Sequence, residues 1–275
     1  MAFKIALTAG HYMGTLGKRC LKKLDPNQTR EWWLNDRIAD KIEKLLRDYT
    51  GWELLRTDDT TGKKSISLSK RTKAANKFKA DFYLSIHHNA GIKGGSGGGI
   101  VAYVYTKPQA ASLQWQKALY EALIDATGLK GNRSNPMPKK NLHEVRETTM
   151  PAVLLELGFM DSKTDVPVIL SEEYADKCAE AIVKVLAERG NLQLKTPVEE
   201  CCVTLPVLKR GDKRDEVVSM QRLLIAAGYP CGDKADDGSF GPATLEALQS
   251  FQWDNGLMIS QTCDAETWEK LLGVN

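Results

Sequence analysis

Four histidines occur in the 275 residues: His11, His87, His88 and His143. His11 closes the short apolar run "LTAGH", and the adjacent pair His87–His88 closes "LSIHHN". A third apolar run, "PAVLLELGF" at 151–159, carries Glu156 in its middle. A carboxylate among apolar residues needs a partner or a purpose. Two imidazoles and a carboxylate gathered at one end of a sheet form a donor set suited to zinc, which in catalytic sites keeps one position open for water. A second carboxylate nearby then serves as general base for that water. Spacing alone leaves this chemistry and plain packing both open for each histidine.

What could gather these residues is a sheet whose strands end at one edge, since ligands of open α/β sheets bind outside the carboxyl ends of the strands. The pattern predicts strands over 3–7, 52–56, 82–86, 98–105 and 152–157, alternating with helices over 31–48, 68–79, 110–127 and 171–189. In the first helix Leu34, Ile38, Ile42, Leu45 and Leu46 share one face. Ser171 is a natural N-cap, and Gly128 and Gly190 are natural stops. The fold class expected is α/β, with a largely parallel sheet flanked by helices over 1–190.

Residues 191–204 have no sustained period and read as a linker. A small all-α domain of three helices is expected over 205–275, a size that folds alone. Its apolar faces are Val217, Met220, Leu223 and Leu224; then Leu245, Leu248 and Phe251 after Pro242, a favoured first-turn residue; then Trp268, Leu271 and Leu272.

The chain is 42% hydrophobic and 27% charged, ordinary for a soluble globular protein. No apolar stretch has the length of a membrane span, so no membrane insertion is expected. The start, "MAFKIALTAGH", is too short and too quickly polar for a signal peptide, so synthesis and folding in a cytoplasm are expected. Residues 1–202 hold 31 Lys and Arg against 24 Asp and Glu, a net +7, while 203–275 hold 7 against 11, a net −4. The basic part fits attraction to a polyanion and equally a solvated basic face. No nucleic-acid motif accompanies it, so no nucleic-acid partner is expected. None of the six cysteines sits in a CxxC pair, which fits free thiols in a reducing compartment; a Cys231–Cys263 disulfide is the alternative. The glycine-rich stretch 91–100 lacks the Gly-Lys-Ser/Thr ending of a phosphate loop and reads as a flexible connection.

Five segments, in order, resemble the zinc-dependent N-acetylmuramoyl-L-alanine amidases of the amidase-3 family. They are Gly10-His11; Glu31 to Asn35 in "REWWLN"; Arg71 with Ala75-Asn76 and Ala80-Asp81; "SIHHNA" at 85–90; and "PAVLLELGF" at 151–159. The resemblance spans residues 3–189. It implies one zinc ion held by His11, Glu31 and His87, with Glu156 as catalytic base. It also implies cleavage of the amide between the lactyl group of N-acetylmuramic acid and L-alanine of the stem peptide. A second histidine at 88 departs from the family, where that residue is commonly small. His88 and Asn89 remain candidates for hydrogen bonding a ligand or for touching substrate; the plainer reading makes His88 an exposed neighbour on the opposite strand face. His143 and Arg146 are weaker candidates for orienting substrate.

The C-terminal part resembles the peptidoglycan-binding domain type one, through Leu208 with Gly211, Val217 with Gln221 and Leu224, Asp237-Gly238 with Phe240-Gly241, Thr244, Phe251-Gln252 and Thr267-Trp268. Phe251 and Trp268 are expected to be core. Both resemblances imply peptidoglycan as the partner. Together with the polar start they resemble a phage or prophage endolysin, acting at the cell wall after release, with an autolysin as the alternative origin. A monomer is expected. A zinc peptidase of the stem peptide or cross-bridge and a non-catalytic wall-binding protein are the competing functions.

Overall fold

The structure is a computed structural model that describes residues 2–195 and 205–273. They fall into two compact units, Met1–Thr196 and Pro197–Asn275. The first is built on the strands β1 (Phe3–Ala9), β2 (Tyr49–Thr50), β3 (Trp52–Arg56), β4 (Phe82–Asn89), β5 (Ile100–Tyr103), β6 (Ala152–Phe159) and β7 (Gln193–Leu194). Its helices are α1 (Glu31–Leu46), α2 (Leu68–Phe78), α3 (Ala110–Thr127), α4 (His143–Arg146), α5 (Val166–Ile169) and α6 (Glu172–Gly190).

Five strands form the main sheet in the order β3-β1-β4-β6-β5. The first four are parallel, and β5 runs antiparallel on β6. Parallel strands covered on both faces read as continuous apolar runs, and β4 is buried at six of its eight positions. Side chains alternate across it. Phe82, Leu84 and Ile86, with Ile5 and Leu7 of β1, face a layer containing Leu34 and Ile38 of α1, Leu119 of α3 and Ile182 of α6. Tyr83, with Ala6, Val101 and Leu154, faces the thinner layer of Ala75 from α2 and Val145 from α4. His87 therefore belongs to the α2/α4 side of the sheet and His88 to the α1 side.

Local differences from the sequence-based expectation have simple causes. Helix α6 includes Gly190; the left-handed residue after it is Asn191, at φ 53°. A side chain at Gly190 would collide with the Phe3 ring, so this glycine serves close packing rather than the stop. The first unit also runs past residue 190, because β7 pairs with β2; residues 196–204 of the expected linker lie outside the described residues. The strand expected over 98–105 is shorter, since Gly98 and Gly99 take φ of 123° and 83°. Nor is the glycine stretch free. The N–H groups of Gly97, Gly98 and Gly99 donate to Thr164 Oγ1, Asn132 Oδ1 and Asp165 Oδ2 at 3.1, 3.0 and 2.8 Å.

The second unit comprises β8 (Leu208–Lys209), α7 (Asp215–Ala226), α8 (Pro242–Asp254), β9 (Thr262–Cys263) and α9 (Ala265–Leu272). Its three helices enclose Leu208, Met220, Leu224, Leu248, Phe251 and Trp268, and the short antiparallel pair β8–β9 joins its ends. Buried Gln221 accepts from Gly238 N–H and donates to Thr244 Oγ1. Cys231 and Cys263 are buried free thiols, so the alternative disulfide is not formed. Burial pushes the thiols up, to about 11 and about 12, which leaves them unreactive at neutral pH. Cys201 and Cys202 lie outside the described residues.

Candidate metal centre

Three side chains from three different elements meet at the carboxyl edge of the sheet. His11 lies two residues beyond β1 and holds a left-handed backbone, φ 68°. That conformation costs a non-glycine residue about 1–2 kcal/mol and needs external support. The Arg71 guanidinium supplies it from α2, donating to Thr8 Oγ1, Ala9 O and His11 O at 2.7, 2.8 and 2.9 Å. Asn35 Nδ2 holds the carbonyl between them, Gly10 O, at 3.1 Å. Gly10 must lack a side chain, because a Cβ there would overlap the His87 imidazole.

Glu31 opens α1, where the helix N-terminus favours a carboxylate. Its Oε1 is shared by two rings: His11 Nε2 at 3.3 Å and His87 Nδ1 at 3.0 Å. The rings themselves stand edge to face, 5.1 Å between centroids. The donor atoms of His11, Glu31 and His87 all lie within 4.8 Å of one another, so this trio can hold a metal ion. Burial works against the Glu31 charge, yet the hydrogen bonds from His11 and His87 outweigh it and hold the carboxyl well below the usual range. Glu31 Oε2 is buried without a hydrogen bond, although the Lys18 ammonium stands 3.3 Å away. A fully buried carboxylate facing two imidazoles in this way fits a divalent cation: oxygen and neutral imidazole donors at one point are what zinc takes.

Two further carboxylates flank His87. Glu156 is its register partner across the β4–β6 pair, on the same face of the sheet. Burial raises the Glu156 carboxyl to about 7, and its Oε2 has no hydrogen-bond partner. Glu144, from α4, puts Oε2 3.6 Å from His87 Nε2. Sequence reasoning missed Glu144. Burial opposes its charge too, but His87, Arg71 and the Tyr83 hydroxyl bring it down to about 2. A cavity of about 300 Å³ lies against the group, lined by His11, Tyr12, Ser65, Arg71, His87 and Glu144 among others.

Residues 5–188 match the family described as N-acetylmuramoyl-L-alanine amidase. The chain belongs to the N-acetylmuramoyl-L-alanine amidase family. Residues 213–271 match the peptidoglycan binding domain family. The chain is 34% identical over 150 residues to the N-acetylmuramoyl-L-alanine amidase CwlM of Bacillus licheniformis, covering 54% of this chain and 55% of that one. It is 33% identical over 162 residues to the endolysin of Bacillus phage SPP1, covering 58% of each. The chain thus spans little more than half the length of these relatives. Among solved structures, an N-acetylmuramoyl-L-alanine amidase from Clostridium difficile 630 superimposes with TM-score 0.62 at 25% identity, over 69% of this chain and 97% of that one.

In this chain the remaining motif residues hold the frame. Asn76 ties α2 to the loop after α4, donating to Glu147 O at 2.9 Å and accepting from Thr149 N–H at 3.0 Å. Asp81 Oδ2 accepts from Lys4 N–H at 2.8 Å.

The other candidate residues stand outside the metal-binding trio. His88 does face away from His87, but it is 1% exposed rather than at the surface, because α1 covers that face of the sheet. Its Nδ1 meets Asn35 Oδ1 at 2.8 Å, and its backbone N–H donates to Glu31 Oε1 at 3.3 Å. Burial drops its pKa to about 3, so the ring is neutral. His88 therefore braces Asn35, which in turn holds Gly10 and the His11 turn. Asn89 uses its Oδ1 on Ala90 N–H and sits past an irregularity in the β4–β6 register. His143 Nε2 lies 3.4 Å from Thr72 Oγ1. The exposed Arg146 guanidinium binds Glu147 and Asn141.

Proposed function

We propose that this amidase hydrolyses the amide joining the lactyl group of N-acetylmuramic acid to L-alanine of the peptidoglycan stem peptide. His11, Glu31 and His87 would hold one zinc ion, and Glu156 would be the general base. The observation that carries this reading is the meeting of three donor atoms within 4.8 Å beside a buried, unpaired carboxylate oxygen of Glu156. Zinc in such a site supplies Lewis-acid polarisation of the scissile carbonyl and lowers the pKa of the attacking water. Glu156 takes the water's proton and delivers it to the departing amine; a carboxyl raised toward neutrality suits both transfers. The second unit would tether the enzyme to the wall, in keeping with its match to peptidoglycan-binding domains.

End-group analysis of digested peptidoglycan tests this. New N-terminal L-alanine is expected from the native protein. Glu156→Gln should bind zinc with native affinity while turnover falls by about 10²–10⁴. A different new terminus would move the cut into the stem peptide or cross-bridge. No new terminus from zinc-loaded protein would leave a wall-binding protein without this activity.

A further inference from the structure

His87 is approached by carboxylates on both edges of its ring. Glu31 Oε1 stands 3.0 Å from Nδ1 and also 3.3 Å from His11 Nε2. The edge turned to the other two donors is therefore Nδ1. The opposite atom, Nε2, is buried without a hydrogen bond, and Glu144 Oε2 is 3.6 Å from it. Glu144 is itself 3% exposed. Its Oε1 accepts from Tyr83 Oη at 2.7 Å and its Oε2 from Ser85 Oγ at 3.2 Å. Tyr83, Ser85 and His87 are alternate residues of β4, so the two-residue period of a strand aims all three at one carboxylate. Thr148 Oγ1 donates to Glu144 O at 2.8 Å, fixing the short α4 that delivers it.

Two hydroxyls alone would not repay the burial of a carboxylate, since a buried charge needs a charged or strongly donating partner. The Arg71 guanidinium acts on it from a distance, and His87 is the partner that comes close, at 3.6 Å. A metal-bound imidazole commonly gives its other N–H to a carboxylate, which sets the tautomer and the ring plane.

We infer that Glu144 is the positioning residue for His87: set by Tyr83 and Ser85, its carboxylate accepts the Nε2–H and holds Nδ1 turned toward His11 and Glu31. The inference rests on the zinc reading above. Glu144 acts through His87, and Glu156 remains the base.

The test uses the full-length protein as Glu144→Gln and Ser85→Ala. Zinc affinity is measured by competition with a chromophoric chelator, and the visible spectrum of the cobalt-substituted protein reports the ligand field. Glu144→Gln presents an amide to two hydroxyl donors and weakens acceptance from Nε2–H. It should lower zinc affinity by about 10–100-fold and alter the cobalt spectrum. Ser85→Ala, which keeps the carboxylate and frees one of its anchors, should shift both in the same direction by less. Native zinc affinity and a native cobalt spectrum in folded Glu144→Gln would overturn the inference. So would a fall in kcat with zinc affinity unchanged, which would make Glu144 a group acting on substrate. Should Glu144→Gln fail to fold, as judged by circular dichroism, Ser85→Ala and Tyr83→Phe decide, and native zinc affinity in both overturns the inference. Native protein that takes up no zinc would sink the zinc reading itself, an outcome distinct from the others.

Discussion

Replacing Arg71 with lysine keeps a cation on α2 and removes the planar fork. Arg71 is 3% exposed and makes four hydrogen bonds: to Ile66 O from Nε at 3.0 Å, to Thr8 Oγ1 and Ala9 O from Nη1, and to His11 O from Nη2. A lysine ammonium placed near Nη1 can serve Thr8 and Ala9, which leaves the carbonyls of Ile66 and His11 unserved. Bonds from charged donors contribute about 1.5–3 kcal/mol each, so two at the low end come to about 3 kcal/mol. For a unit of this size that lowers Tm by about 6–12 °C. The second consequence is local. Without the bond to its carbonyl, His11 can relax from its left-handed backbone, recovering about 1–2 kcal/mol. That energy must be spent again when zinc binds, which weakens zinc by about 5–30-fold. Differential scanning calorimetry gives the first number and chelator competition the second. A native Tm in Arg71→Lys would refute the account of Arg71 as the clamp. A lowered Tm with native zinc affinity would show that Asn35 alone holds the His11 turn.

Two further predictions follow from the same corner of the fold. Gly10→Ala places a methyl group against the His87 ring; overpacking should cost about 1–3 kcal/mol of stability, while zinc affinity falls at least about tenfold, so equal zinc binding in the variant would count against this packing. Asp25 lies in the loop that joins His11 to Glu31, where its carboxylate accepts from Thr29 and Asn27 N–H at 2.6 and 3.0 Å. Burial opposes its charge, but the Thr29 hydroxyl together with those two backbone bonds lowers its pKa below 3.8. Its contribution is therefore present above that value and lost as pH falls through the lowered one. Asp25→Asn should flatten the loss of stability below about pH 4, and an unchanged acid limb in thermal melts would contradict this.

Element order was legible in the sequence because helix and strand periods show in the pattern of apolar residues. The apolar run at 82–86 implied a buried parallel strand, and Leu34, Ile38 and Ile42 implied a helix laid on it. His11, Glu31, His87 and Glu156 were legible as a set through ordered motifs, not through spacing. Glu144 was not. It sits between His143 and Val145 in a helix of four residues, too short to show a period, and nothing in its neighbours announces burial. His88 was read correctly as facing away from His87 and wrongly as exposed. Strand alternation gives the direction of a side chain, while α1 decides what lies there.

By itself, then, the sequence determined the five strands of the main sheet, the four long helices around it and the histidines that reach its carboxyl edge, but not the short α4 and α5 or the β2–β7 pair. Local propensity and apolar periodicity act over a few residues and need no knowledge of the rest of the chain. Only the tertiary structure decided that Glu31 Oε1 is shared by His11 and His87, and that Glu144 takes the far edge of the His87 ring. Those contacts join residues 20 to 57 positions apart, and they depend on how α1, α2 and α4 pack against β1 and β4. Hydrogen bonds and metal coordination are decided over tenths of an ångström, a precision set by close packing and invisible in the order of residues.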